Sequence, residues 1–187
     1  MRKRIAMWIF LLLLAAQAPM HATALARMSL EELSAASDAV VEARCLGNEV
    51  RQEGGEIWTF ANFQVEGTAK GIVPPLITVR LLGGRLGHLT SHVEGVPQFQ
   101  PGEEVILFLH RTRAGDFAVT SWMQGTFRIR RDARTGEATV TQDSSGAAVF
   151  DPKTRSFRYE GIRRAPLAEF RAHLQAILSR QANGRER

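Results

Sequence analysis

Three histidines and a glutamate near the middle of the chain, His88, His92, His110 and Glu94, are the side chains best suited to holding a divalent metal. His88 and His92 stand four apart in His88-Leu-Thr-Ser-His92, a spacing that would share one face of a helix. A zinc-protease helix carries a glutamate directly after its first histidine, and Leu89 stands there instead. In a strand the pair also keeps one face, but about 13 Å apart. One zinc ion cannot bridge that gap, since its nitrogen ligands sit at about 2 Å. A metal site therefore needs His110 or Glu94 folded in from elsewhere, and solvated strand or loop histidines are the simpler reading.

Other chemistries fare worse. Leu81-Leu-Gly-Gly-Arg-Leu-Gly87 follows a strand pattern, but no helix begins after it to aim amides at a phosphate. The glycines Gly83 and Gly84 read as a bend at a sheet corner. Ser121, Ser144 and Ser145 lack the strand–turn–helix elbow of a hydrolase nucleophile. Glu103 and Glu104 sit beside a turn, where solvated charge is the ordinary explanation. Cys45 is the one cysteine, so no intrachain disulfide is available. It shares a strand face with Val41 and Ala43 and reads as a small buried apolar side chain. No catalytic constellation and no cofactor motif emerges.

The elements that position these residues are mostly strands. Val40–Gly47, Ile57–Gly67, Leu76–Leu82, Glu103–Arg111, Phe117–Met123, Gly125–Arg130 and Glu137–Gln142 alternate with period two and are bounded by Gly, Pro, Asn or Asp. Gln52-Glu-Gly-Gly-Glu56, Asp132-Ala-Arg-Thr-Gly136 and Asp151-Pro-Lys-Thr154 supply hairpin turns. Val105–Leu109 is continuously apolar, so it needs cover on both faces. Ser29-Leu-Glu-Glu32 matches a capping box for a short helix to about Ala36. Leu167, Phe170, Leu174, Ile177 and Leu178 make one apolar helical stripe near the C-terminus. The expectation is a mainly β protein: an OB-like closed or partly open antiparallel barrel with a short N-terminal helix and a C-terminal amphipathic helix.

The N-terminus reads as an export signal. Arg2, Lys3 and Arg4 precede an apolar run from Ile5 to about Ala16, and Ala22, Ala24 and Ala26 fit an A-x-A cleavage pattern. The run is short of the roughly 20 residues that span a bilayer, although an uncleaved anchor is the competing reading. The expected division is a signal at 1–26, one domain at 27–182 and a flexible tail at 183–187. Removing the three signal cations leaves 21 Lys+Arg against 19 Asp+Glu, a net charge of +2. That balance argues against a nucleic-acid partner. No second apolar run long enough for a membrane span follows the signal.

Trp58 and Phe60 alternate against Ile57, Ala61 and Phe63, and Trp122 is out of phase with Val119. These aromatics, with Arg85, His88 and His92, are the candidate partner-binding residues. The loop Arg85–Gln100 is the longest irregular segment and the first place to look for recognition. Arg128, Arg130, Arg131 and Arg134 cluster at a hairpin, which suits either an anionic polymer or a solvated edge that discourages strand pairing.

Ala36-Ser-Asp-Ala-Val-Val-Glu-Ala-Arg-Cys45, Thr59–Gly71, Ile77–Gly84, Pro101–Leu109 and Met123–Ile129 together resemble a group of uncharacterised exported bacterial proteins. In strand order those are similar to the OB-fold barrel of netrin-like domains and tissue inhibitors of metalloproteinases. The resemblance implies a secreted barrel that engages a partner protein, such as a secreted protease. The inhibitors' N-terminal zinc-chelating cysteine and dense disulfides have no counterpart here, because Cys45 is internal and alone. The expected function is thus an exported, non-enzymatic module, periplasmic or extracellular, recognising a protein partner or an envelope polymer. The alternatives are a metal-assisted hydrolase using His88, His92, His110 and Glu94, and a self-assembling envelope protein.

Overall fold

A computed structural model describes residues 26–158 and 161–185. The expected signal therefore lies outside the described residues, apart from Ala26. Twelve strands and two α-helices are described: α1 is Leu30–Ala36 and α2 is Leu167–Arg185. The strands are β1 (Ala39–Glu53), β2 (Glu56–Lys70), β3 (Leu76–Leu82), β4 (Gly84–Leu86), β5 (Leu89–Ser91), β6 (Glu104–Arg111), β7 (Phe117–Val119), β8 (Thr126–Arg131), β9 (Ala138–Gln142), β10 (Val149–Asp151), β11 (Ser156–Arg158) and β12 (Ala165–Pro166).

The main sheet runs β1-β2-β3-β7-β6-β8-β9-β12, and β1 also pairs with β6. That second pairing closes β1, β2, β3, β7 and β6 into a five-strand ring, with β8, β9 and β12 continuing outward from β6. β1 can serve two neighbours because it coils. Its register against β2 slips at Val40/Val41, Glu42/Ala43 and Cys45/Gly47, and each bulge adds twist. Its first half pairs with β6, from Ala39 opposite Leu109 to Arg44 opposite Glu104. The ring departs from the expected all-antiparallel sheet at one place: β3 and β7 meet in parallel through Val79 and Phe117.

Two apolar layers result. Val41, Ala43, Cys45, Phe63, Val79, Leu107 and Phe117 fill the ring interior. Five strands leave a narrow lumen, so small residues stand opposite the phenylalanines. The outer face of β1 and β6 carries Val40, Ile106 and Phe108, which pack with Phe127 and Ile129 under Leu33, Leu167, Phe170 and Leu174 of the two helices. Phe108 meets Phe127 at 5.4 Å, and Phe127 meets Phe170 at 5.0 Å between ring centroids. The unbroken apolar run of β6 is thus covered on both faces, by the lumen and by helices.

Local chemistry explains the boundaries. In α1 the Ser29 hydroxyl accepts from the Glu32 amide at 3.2 Å while the Glu32 carboxylate accepts from the Ser29 amide at 2.7 Å. At the other end Lys70 Nζ donates to the carbonyls of Ser34 and Ser37, both at 2.6 Å, placing a cation at the negative end of the helix. Gly54 and Gly55 both have positive φ, 62° and 87°, as a two-residue type I′ hairpin requires. The Asp132 carboxylate accepts from the amides of Arg134 and Thr135, and that of Asp151 from those of Lys153 and Thr154. α2 reaches Arg185, past the expected start of the tail at 183, and docks through Gln181, whose amide donates to the Glu31 carbonyl at 2.9 Å.

The segment after β5 is the main difference from expectation. Pro97 and Phe99 are buried, and Phe99 meets Phe63 edge-on at 5.0 Å inside the ring. A loop read as free for recognition is in part a plug for the lumen. Phe99→Ala is therefore expected to cost about 3–5 kcal/mol of stability by urea unfolding. A loop that only served recognition would tolerate the change with little loss.

Candidate functional site

The mouth of the ring is shaped by the glycine pair. Gly83 has φ 95° and Gly84 φ 140°. A Cβ on Gly83 would fall 2.7 Å from the Ser91 carbonyl oxygen, and one on Gly84 would fall 2.5 Å from Thr59 Oγ1. No other residue permits so close an approach. The chain leaves β3 here, anchored by the Gly83 amide on the Ile57 carbonyl at 2.8 Å and by Thr59 Oγ1 on the Gly83 carbonyl at 2.7 Å. It then folds into the β4–β5 hairpin.

The opposite wall is residues 96–103. Asn48 Nδ2 donates to the Phe99 carbonyl at 2.7 Å, and the Gly102 amide donates to the Cys45 carbonyl at 2.7 Å. Arg128 holds the wall from outside: it donates to Glu103 at 2.6 Å, to Asp143 at 2.7 and 2.9 Å, and to the Gln98 carbonyl at 2.7 Å. Its guanidinium also lies 5.4 Å from the Phe99 ring centroid. Only a fifth of the Arg128 side chain is exposed, with similar values for both carboxylates.

Between these walls lies a cleft of about 350 Å³. Its floor is apolar, from Val50, Leu81, Val96 and Phe99. Its rim carries hydrogen-bonding groups from Asn48, Thr90, Ser91, Gln98 and Gln100, together with Arg85 and His92. Arg85 brings a guanidinium, while no carboxylate lines the cleft. Such a surface suits an acceptor-rich or anionic guest.

The sequence-derived candidates separate. Arg85 and His92 line the cleft. His88 is exposed in the turn between β4 and β5, and His92 lies 3.4 Å from Glu94 with both side chains largely in solvent. His110 is exposed on β6 opposite Ala118. Among the described residues no three His, Cys, Asp or Glu side chains gather as a metal-binding group, so His88, His92 and His110 are not brought together. Trp58 and Phe60 do lie on the outer strand face, but Phe60 is 4 % exposed. Arg51 stacks 3.8 Å above the Phe60 ring, and Arg80 lies 4.2 Å from Trp58 and 5.4 Å from Phe60. Guanidinium stacking covers apolar surface that the sequence leaves open to a partner. Trp122 is not on a strand. Ser121 and Trp122 take left-handed φ of 53° and 51° and lead into a short 3₁₀ turn, Trp122–Gly125.

The basic hairpin is likewise not a free cationic patch. Arg131 and Arg44 both bond Glu104, at 2.9 Å each, and Arg44 also bonds Glu66 at 2.9 Å. The Arg131 hydrogen bond, supported by Arg44, holds the Glu104 carboxyl below its usual 4.5. Burial pushes the Cys45 thiol up, which leaves it a core residue rather than a nucleophile. Sequence reasoning missed Arg128 as a clamp and Asn48 and Thr59 as wall residues. Arg128 carried a signal only as one of four clustered arginines.

Removing Arg128 leaves Asp143 without its guanidinium partner and Glu103 with only the exposed Arg130, 4.0 Å away. Arg128→Met is expected to cost about 2–4 kcal/mol in urea unfolding at neutral pH. For Glu104 the folded value is depressed, so its ionised form stabilises the fold above pH 4.5 and that contribution is lost as pH falls through the folded value. Glu104→Gln should flatten the loss of stability between about pH 6 and about pH 3, read as urea midpoints. An unchanged slope would show that this carboxylate is not linked to folding.

Comparison with protein-family models, with curated proteins and with solved structures finds no match for this chain.

Proposed function

We propose that the chain is an exported, non-enzymatic binding module whose working surface is the cleft at the mouth of the ring. Its occupant is an extended, acidic segment of a partner protein. The observation that carries this reading is the make-up of the cleft: apolar floor, hydrogen-bonding rim, the Arg85 guanidinium and no lining carboxylate. A preformed concavity with a few convergent polar groups is the usual form of a recognition site. The single sign of its charge favours an anionic guest.

The extended form of the guest is supported by β5. Among the described residues β5 pairs with β4 alone, which leaves its other edge with unpaired backbone groups. A second groove of about 370 Å³ is lined by all three residues of β5 with Ile57, Leu82 and Val93, and Glu56 at its border would steer the acidic groups of the guest toward the Arg85 side. Strand addition to such an edge takes affinity from the backbone and specificity from alternate side chains. In fold terms we read the ring as an OB-like barrel, a class that binds ligands through its strand face and loops. The strand order read from the sequence, which resembles that of netrin-like domains, supports the same reading, and a secreted protease is one partner class consistent with it. Export rests on the charged, apolar and small-residue order of residues 1–26. No observation favours a metal-assisted hydrolase over this reading.

A photocrosslinker at Thr90, on the cleft rim, tests the proposal against one at Arg180, exposed on α2. In native envelope extract the Thr90 position should trap one protein, and Arg85→Glu should lower that yield about tenfold by placing like charge against the guest. Equal trapping from both positions, or an adduct to an envelope polymer alone, would overturn the reading.

A further inference from the structure

The folded body starts on a clamp made by one glutamine. Gln124, 2 % exposed, sits in the 3₁₀ turn after β7. Its Nε2 donates to the Ala26 carbonyl at 2.7 Å and to Ser121 Oγ at 3.0 Å, and its Oε1 accepts from the Met28 amide at 2.8 Å. Between those two rungs the Arg27 amide turns the other way and donates to the Phe150 carbonyl at 2.8 Å, as part of the parallel bridge between Ala26 and Phe150. The primary amide of Gln124 therefore replaces a backbone peptide group on one side of an extended segment, with Phe150 on the other. Both Nε2 hydrogens are used. The node is held in turn by Gln142, whose Nε2 donates to the Gln124 carbonyl at 2.6 Å.

This arrangement discriminates between two cleavage positions that satisfy the same small-residue pattern. Ala22-Thr-Ala24 would release Leu25 as the first residue, and Ala24-Leu-Ala26 would release Arg27. A cut after Ala26 deletes the carbonyl that Gln124 Nε2 bonds and takes Ala26 out of its bridge with Phe150, leaving the Arg27 nitrogen as the donor to the Phe150 carbonyl. It also turns the Arg27 amide into an α-ammonium beside the vacated position, so the buried Gln124 Nε2 loses an acceptor and gains a cation as neighbour. A cut after Ala24 keeps the contacts of Ala26, Arg27 and Met28 just described and leaves the new ammonium two residues from Arg27. We infer that export processing cuts between Ala24 and Leu25, so that Ala26 remains in the mature protein as a structural residue. The inference rests on the reading of residues 1–26 as an export signal. In the reaction an export peptidase hydrolyses the Ala24–Leu25 amide: water's hydroxyl goes to the Ala24 carbonyl carbon, its remaining hydrogen to the Leu25 nitrogen.

The test is the N-terminus of the protein recovered from the periplasm or medium of a bacterial host expressing the full chain, read by intact mass and N-terminal sequencing. A start at Leu25 supports the inference. A start at Arg27 overturns it while leaving the export reading intact, and an intact chain starting at Met1 overturns both. Ala26→Gln separates the sites genetically, because the exposed Ala26 contributes only backbone to the clamp. Processing should be unchanged if Ala24 precedes the cut, and blocked or displaced if Ala26 does. The two mature forms also differ in stability. A form starting at Arg27 should melt about 3–10 °C below one starting at Leu25, a gap that Gln124→Ala should largely erase. Equal melting of the two forms with Gln124 present would remove the structural basis of the inference.

Discussion

The pairing of β1 with β6 is the constraint from which most of this structure follows. β1 is hydrogen-bonded to β2 along nearly its whole length, yet its first six residues also pair with β6. A flat strand cannot satisfy both neighbours within one closed ring. The register slips along β1 supply the coiling that lets it do so. Closure then fixes two faces at once. One turns Val41, Ala43 and Cys45 into the lumen, and the other presents Val40 to the helices, with Ile106 and Phe108 beside it. The helices are needed because β6 is apolar on both sides, and an uncovered face there would be an aggregation edge.

Where the chain lacks a strand partner, buried polar side chains take over. Arg128 gathers Glu103, Asp143 and the Gln98 carbonyl, and so holds the wall that carries Phe99. Gln124 does the same for Ala26 and Met28. Lys70 satisfies the open carbonyls at the end of α1. Each group is multivalent and mostly shielded, so each deletion would strand several partners at once. That is the condition under which a polar contact matters to stability. The exposed pairs, such as Arg51 with Glu49 at 3.8 Å, contribute far less.

The mouth of the ring combines rigidity with an unfilled surface. Its glycine corner admits no side chain, and its far wall is plugged into the core by Phe99. The cleft is therefore preformed, and a guest would not have to order it. Arg85, His88 and His92 were legible as surface-loop residues because a polar, glycine-rich stretch between two strand patterns marks such a loop, but which of them line the cleft, Arg85 and His92, was set by the β4–β5 hairpin. Trp58 and Phe60 were legible as outward-facing from alternation alone. Their cover by Arg51 and Arg80 was not, since Arg80 lies on another strand, 20 positions beyond Phe60, and meets it only through the β2–β3 register.

The sequence by itself determined the local elements. The capping box, the Gly54-Gly55 hairpin, the Asp132 and Asp151 turns, the helical stripe of α2 and the burial of Cys45 are all set by interactions within a few residues or by periodicity. Tertiary structure decided what those elements do together: β1 closing on β6, β7 running parallel to β3, Phe99 entering the lumen, and Arg128 and Gln124 finding their partners. Closure joins Val40 to Phe108, and the 3₁₀ turn after β7 brings Gln124 to Ala26, residues far apart in the chain. Hydrogen-bonding groups look alike wherever they occur in a sequence. Which of them meet depends on the strand coil and register that only the folded ring establishes.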